Sequence, residues 1–338
     1  MQTEATPRQR FLDAVSGRRR GRAAVASPTS IVTVELQERI GVYFPDAHHD
    51  PRAMARLALA GWTLCGYDAV IPVFGPGTHE ADALGVPIKW GERSRLPAVA
   101  GNIWQNPEEI AVPDDFAERP SVAMVLEAIR ILRDEVGDEV AIIGKVYGPW
   151  SLAYHTFGLQ NFLRDTIRNP QKVLDILNRL KQVPLVFAKL QIEAGVDALT
   201  WGDHITRDLI RPEAYPTFLR DIHKEMSAEI GVPLIFHCCG KTSDRIDYFN
   251  ESGMACFHFE SANDAREMRA KAKMALAGNI NNTRTLLQGS REDVRQEVFY
   301  ALDAGVDIIA PECAVPLDAK LENVIAIKES VDEYYALH

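Results

Sequence analysis

Short apolar runs recur along this chain, each followed by a polar or glycine-containing turn and then by a stretch with helical periodicity. The runs predict eight strands, near 23–27 (AAVAS), 68–73 (DAVIPV), 140–147 (VAIIGKVY), 197–202 (DALTWG), 232–237 (VPLIFH), 255–260 (ACFHFE), 275–279 (ALAGN) and 307–310 (DIIA). Between them, 121–136, 170–194 and 291–304 carry apolar residues at the spacing of one helical face. Pro184 is expected to bend or end the second of these helices, because proline lacks the N–H and crowds the preceding turn. Strands alternating with helices mean βα units and a parallel sheet buried on both sides. Gly195–Val196–Asp197 and Gly305–Val306–Asp307 each close a helix and open a strand, the turn chemistry such units need. A short helix over 7–17, with Phe11, Leu12 and Val15 on one face and Gly17 at its C-cap, precedes the first strand. Eight units in a single domain over 1–338 predict an α/β fold, a closed (β/α)8 TIM barrel with an N-terminal helical extension. No G-x-G-x-x-G follows the first strand, which argues against a dinucleotide-binding sheet. The stretch 74–118, rich in proline and glycine, reads as an elaborated loop over the barrel mouth.

Composition changes this picture little, since 46% hydrophobic and 25% charged residues describe an ordinary globular chain. Charge changes it more. With 37 basic and 47 acidic residues the formal net charge is −10, a poor match for a phosphate backbone, so no nucleic-acid partner is expected. The one basic cluster, Arg18 to Arg22, is too short to reverse that and reads as a solvated turn. No apolar run approaches the roughly 18 residues a membrane-spanning helix needs. The opening MQTEATPRQR has no apolar core behind its charges, unlike a secretory signal, so a cytoplasmic location is expected. Five cysteines, an odd number, disfavour a complete disulfide framework. They must be core fillers, metal ligands or nucleophiles.

In a barrel of this kind the site lies at the C-terminal ends of the strands. The polar residues there are Tyr147, Asp203 with His204, His237 with Cys239, Glu260, Asn279 and Cys313. His237 and Cys239 are two apart in an extended segment, so their side chains point the same way and Cys238 points to the opposite face. With Cys313 at the end of the last strand, one imidazole and two thiolates match a Cys2His catalytic zinc site that keeps a fourth position open. Glu260 is placed to fill that position at rest and to leave it when substrate enters. Cys65, Cys238 and Cys256 read as small core hydrophobes. His48, His49, His79, His155, His223, His258 and His338 read as packed or solvated.

Several segments together carry a resemblance. They are PRQRFLDAVSG at 7–17, YGPWSLA at 147–153, EAGVDAL at 193–199, HCCG at 237–240, AGNINNTRTLLQGS at 277–290, AGVDIIAPECAVP at 304–316 and the closing LENVIAIKESVDEYY. Over nearly its whole length the chain resembles the uroporphyrinogen decarboxylase superfamily, and within it the cobamide-dependent methyltransferase branch typified by methylcobamide:coenzyme M methyltransferases. The resemblance implies that His237, Cys239 and Cys313 hold Zn²⁺, and that Glu260 matches a carboxylate near the sixth strand. It implies methyl transfer between a corrinoid, such as methylcobalamin presented by a separate corrinoid protein, and a small thiol such as coenzyme M. The residues given leave no length for a cobalamin domain beside the barrel. Glu260 and Asp203 are then the candidate catalytic groups. Tyr147, His204 and Asn279 are the candidates for contact with corrinoid or substrate. The decarboxylases carry an arginine-bearing segment near the N-terminus that grips a polycarboxylate. Here Ser27 to Glu35 (SPTSIVTVE) holds no arginine, which would leave substrate charges unpaired. A methoxylated or halomethane methyl donor, and a non-catalytic protein that binds zinc and corrinoid, remain open alternatives.

Overall fold

In the computed structural model, which describes residues 5–19 and 21–338, the eight expected strands all form. In chain order the strands are β1 (Ala24–Val25), β2 (Ala69–Val70), β3 (Ile88–Lys89), β4 (Ala98–Val99), β5 (Ala141–Tyr147), β6 (Ala198–Gly202), β7 (Leu234–His237), β8 (Cys256–His258), β9 (Ala275–Ile280) and β10 (Ile308–Pro311). Eight of them make one parallel sheet in the order β1-β10-β9-β8-β7-β6-β5-β2. The two ends meet where the Asp68 N–H donates to the Val25 carbonyl at 2.7 Å and the Val25 N–H donates to Asp68 Oδ2 at 2.8 Å. The result is a (β/α)8 barrel.

Alternate strand residues fill its lumen. Ala24, Ala69, Ala141, Ile143, Ala198, Ile235, Cys256, Ala275, Ala277 and Ile308 pack together with Phe11, Ala14 and Val15 from the helix Pro7–Val15. Small side chains dominate because eight strands enclose little space. The first helix is therefore a stopper at the N-terminal end of the barrel. Its Arg8 bonds Asp197 at 2.8 Å, and Arg10 pairs with Asp68. The aspartates of the glycine–valine–aspartate turns have a second task. Asp197 Oδ2 accepts from the Ile142 N–H at 2.8 Å, and Asp307 Oδ2 accepts from the Leu276 N–H at 2.9 Å, tying each strand start to its neighbour. Stability is thus concentrated at the closed end, and the open end is free for chemistry.

Two expectations need correction. The segment 170–194 is two helices, Pro170–Leu180 and Gln182–Ala194, and the break lies at Lys181, not at Pro184. Pro184 sits in the first turn of the second helix, where a missing N–H leaves no intrahelical bond unmade. The stretch 74–118 is also more ordered than a loop. It contains the helix Thr78–Ala83, the antiparallel pair β3–β4 and two short 3₁₀ turns. Arg20, within the basic cluster, lies outside the described residues. No helix among the described residues is long and apolar enough to cross a membrane.

Candidate metal centre

Strand β7 runs Leu234–Ile235–Phe236–His237 and delivers His237 to the barrel mouth, level with Gly202 of β6 and His258 of β8. The alternation continues past the strand. Cys238 is fully buried in the outer core, whereas Cys239 turns back into the mouth. Gly240 follows at φ +80°, and a Cβ there would come within 2.5 Å of Thr206 Oγ1. Only glycine lets the chain turn away directly behind Cys239.

His237 Nε2 lies 3.1 Å from Cys239 Sγ and 3.6 Å from Cys313 Sγ, and the two sulfurs are 3.4 Å apart. A tetrahedral ion with Zn–N near about 2.1 Å and Zn–S near about 2.3 Å sets its ligand atoms roughly 3.4–3.8 Å apart. The three atoms therefore already stand close to the edges of such a tetrahedron. Burial pushes the His237 pKa well down, which keeps the imidazole in the neutral, metal-binding form. Between the thiols, the contact with Cys239 lowers the Cys313 pKa and raises that of Cys239.

A carboxylate oxygen of Glu260 lies within 4.8 Å of both sulfurs, and His204 comes equally close to His237 and Cys239. Burial, with the neighbouring charge of Glu312, holds Glu260 above the usual carboxylate range. His204 is down-shifted to about 4, mainly by burial. Its Nδ1 is engaged by Ser151 Oγ at 3.0 Å, so only Nε2 is available to a ligand. The residues present thus fit one metal ion: an imidazole and two sulfurs as the firm set, with Glu260 and His204 flanking the remaining position.

The other expected residues divide. Tyr147 ends β5 with its ring 5.5 Å from that of His204, half-buried at the mouth. Asn279 lies at the end of β9, nearly buried, and its Nδ2 donates to the Asn263 carbonyl at 3.3 Å. Asp203 departs from the expectation of a catalytic group. Its carboxylate is fully buried outside the barrel wall, where Oδ1 accepts from the Ser151 N–H at 2.9 Å. Oδ2 accepts from Trp201 Nε1 at 3.0 Å and faces His223 Nε2 at 2.9 Å. The backbone of Gly148 passes so near that a Cβ there would fall 1.9 Å from Oδ2. Asp203 is thus a positioning residue: it fixes Ser151, and Ser151 fixes His204. His223 and His258 are buried, as expected of packed histidines, and the His258 ring lies 4.7 Å from that of His237. All five cysteines are free.

Four groups were not anticipated. Asn263 Oδ1 accepts from the Thr242 and Ser243 N–H groups, and its Nδ2 donates to the Gly240 and Glu260 carbonyls, so one amide shapes both ligand loops. Glu312, beside Cys313, accepts from the Ser261 and Asn282 N–H groups. Glu80, on the helix Thr78–Ala83, accepts the Tyr147 N–H at 2.8 Å, and burial raises its pKa to about 7. Lys145 is buried in β5, which lowers its pKa to about 8. Its signal was in the sequence, as a charged residue inside an otherwise apolar strand.

A parallel (β/α)8 barrel with a histidine–dicysteine cluster at its mouth defines a barrel scaffold whose open end carries a candidate metal site. The chain belongs to the uroporphyrinogen decarboxylase family, which it matches over residues 6–334. It is 32% identical, over 99% of its length and 100% of the relative's, to the methylcobamide:CoM methyltransferase MtaA of Methanosarcina barkeri. It is 31% identical, over 98% of its length and 91% of the relative's, to the methylated-thiol–coenzyme M methyltransferase of Methanosarcina mazei. A solved methyltransferase from Methanosarcina mazei superposes with a TM-score of 0.94 at 30% identity, covering 98% of this chain and 100% of that one.

Proposed function

We propose that this protein is a zinc-dependent methyltransferase that moves a methyl group between a corrinoid and a small thiol such as coenzyme M. The observation that carries the reading is the convergence of His237, Cys239 and Cys313 at the barrel mouth, with Glu260 beside them. His237, Cys239 and Cys313 would hold the metal, which supplies a Lewis acid that favours the thiolate form of a bound thiol. Two anionic sulfur donors leave the substrate sulfur electron-rich, so it stays nucleophilic. Glu260, with a raised pKa, is suited to give up its place and to take a proton as the thiol enters. His204 and Tyr147 bound the mouth on the β5–β6 side, where the flat corrinoid would approach. Asp203 keeps His204 in place through Ser151.

The corrinoid is offered by a separate protein in this reading, and the five free thiols suit a reducing, cytoplasmic setting. The decarboxylase reading is weaker, because the segment Ser27 to Glu35, whose Pro28 and Thr29 carbonyls accept from the lumen residues Thr200 and Lys145, holds no arginine. Anaerobic incubation with free methylcobalamin and a panel of thiols, followed through the cobalamin spectrum, tests the reading. Thiol-dependent loss of the methylcobalamin band is expected. X-ray absorption at the zinc edge should show two sulfur neighbours rising to three when an accepted thiol is added. Three sulfurs before addition, or an unchanged shell at saturation, would make the ion structural.

A further inference from the structure

One side chain ties the ends of β8, β9 and β10 together at the metal centre, and the chemistry above gives it no part. Glu312 is buried, directly before Cys313 in the chain. Its Oε1 accepts from the Asn282 N–H at 2.8 Å. Its Oε2 accepts from the Ser261 N–H at 2.9 Å and from the Ser261 hydroxyl, which in turn accepts from Asn281 Nδ2 at 2.8 Å. Ser261 directly follows Glu260, so the side chain next to one ligand grips the backbone next to the other. Asn282 closes the arrangement, because its Nδ2 donates to the Ala314 carbonyl at 2.8 Å. Cys313 is thus held on both flanks, at Glu312 and at Ala314, by one residue at the start of the turn behind β9.

The residue type is informative. Three donors converge on this side chain, and only a carboxylate accepts from all of them; an amide would set its NH2 against an N–H. An acidic side chain beside two sulfurs and a second carboxylate is electrostatically unfavourable, and packing alone would favour a neutral residue. One strand earlier, Asn263 Nδ2 donates to the Gly240 carbonyl at 2.9 Å and to the Glu260 carbonyl at 3.1 Å. Glu260 is therefore spaced from Cys239 through Asn263 and from Cys313 through Glu312.

We infer that Glu312 is a positioning residue for the metal centre. By fixing Ser261 against Asn282 it sets the separation of Glu260 from Cys313, and with it how firmly the ion is held and how Glu260 meets the fourth position. The inference rests on the zinc reading of the mouth and adds to it a residue outside the ligand set. Groups that orient ligands without touching the ion are worth about tenfold to a hundredfold in metal affinity.

The test is metal binding by the full chain. Competition with a chelator reads the Zn²⁺ affinity, and Co²⁺ in place of zinc reports ligand geometry through its visible bands. Glu312→Gln should weaken Zn²⁺ binding by about tenfold to a hundredfold and shift the cobalt bands. Ser261→Ala, which loses the hydroxyl and keeps the N–H, should fall between that variant and the unmodified protein, and it carries the same comparison if the glutamine variant does not fold. Asp197→Asn is the control at the closed end of the barrel, where Asp197 accepts from the Ile142 N–H and pairs with Arg8. It should lower the urea midpoint of the metal-free protein and leave both metal readouts unmoved. An intact Glu312→Gln whose affinity and cobalt bands match the unmodified protein overturns the inference and leaves the zinc reading standing. An equal loss of affinity in Asp197→Asn also overturns it, since stability alone would then explain the effect. An unmodified protein that binds neither ion overturns both the inference and the zinc reading.

Discussion

Replacing Asp203 separates positioning from catalysis. Its carboxylate receives the Ser151 N–H, the Trp201 indole N–H and the His223 ring at 2.9 to 3.0 Å, all in a fully buried place. Asp203→Ala strands three buried donors, and each costs about 1–3 kcal/mol, so a loss of at least about 3 kcal/mol is expected. Asp203→Asn is the sharper probe. With its oxygen at the Oδ2 position it keeps Trp201 and His223 and sets its NH2 against the Ser151 N–H. The stability loss should then be about 1–3 kcal/mol, read as a shift in the urea midpoint at constant slope. Ser151 also carries His204, through 3.0 Å to the ring and 2.9 Å to its backbone N–H. A loosened Ser151 should therefore slow methyl transfer by about tenfold to a hundredfold, with zinc retained and the pH profile unmoved. A variant of undiminished stability that loses more than about a thousandfold in rate, or whose pH profile shifts, would show that Asp203 meets the reacting groups and refute this account.

Purified protein is expected to carry about one zinc per chain, and Cys239→Ala or Cys313→Ala should abolish it, whereas Cys238→Ala, whose sulfur lies in the outer core, should not; metal analysis decides. Glu80 gives a pH signature. Its folded pKa, about 7, lies above its ordinary value of 4.5, so the folded state holds a proton that the unfolded chain has lost, and stability falls as pH rises between those values. Glu80→Gln should lack that fall, so urea titrations from pH 4.5 to 7 should show unmodified protein losing up to about 3 kcal/mol more than the variant. Equal slopes would mean that Glu80 is not held protonated.

Much of the site was legible from counting by twos. From Ala198, alternation places Thr200, Gly202 and His204 inward and Asp203 outward, which is where the structure puts them. The grouping of Asp203 with His204 as strand-end residues overlooked that parity. The same count carries Ile235 to His237 and Cys239, Cys256 to His258 and Glu260, and Ala141 to Lys145 and Tyr147. The eight βα units were legible for a related reason, since periods of 2 and 3.6 are local properties of a buried strand and an amphipathic helix.

Alternation fails where strands end. Beyond Pro311 the inward place falls to Glu312 by count, yet Glu312 is drawn aside by the Ser261 and Asn282 N–H groups and Cys313 turns in to meet Cys239 and His237. Nor does any local pattern reveal that Glu80, His79 and His48, from the segments after β1 and β2, come within electrostatic reach of Lys145. The sequence by itself determined the barrel, the inward set on each strand and the pairing of His237 with Cys239. Tertiary structure alone decided which loop residues complete that set. Past the strand ends, side-chain direction follows from hydrogen bonds made across the mouth by residues far apart in the chain, and no residue's own neighbours encode those partners.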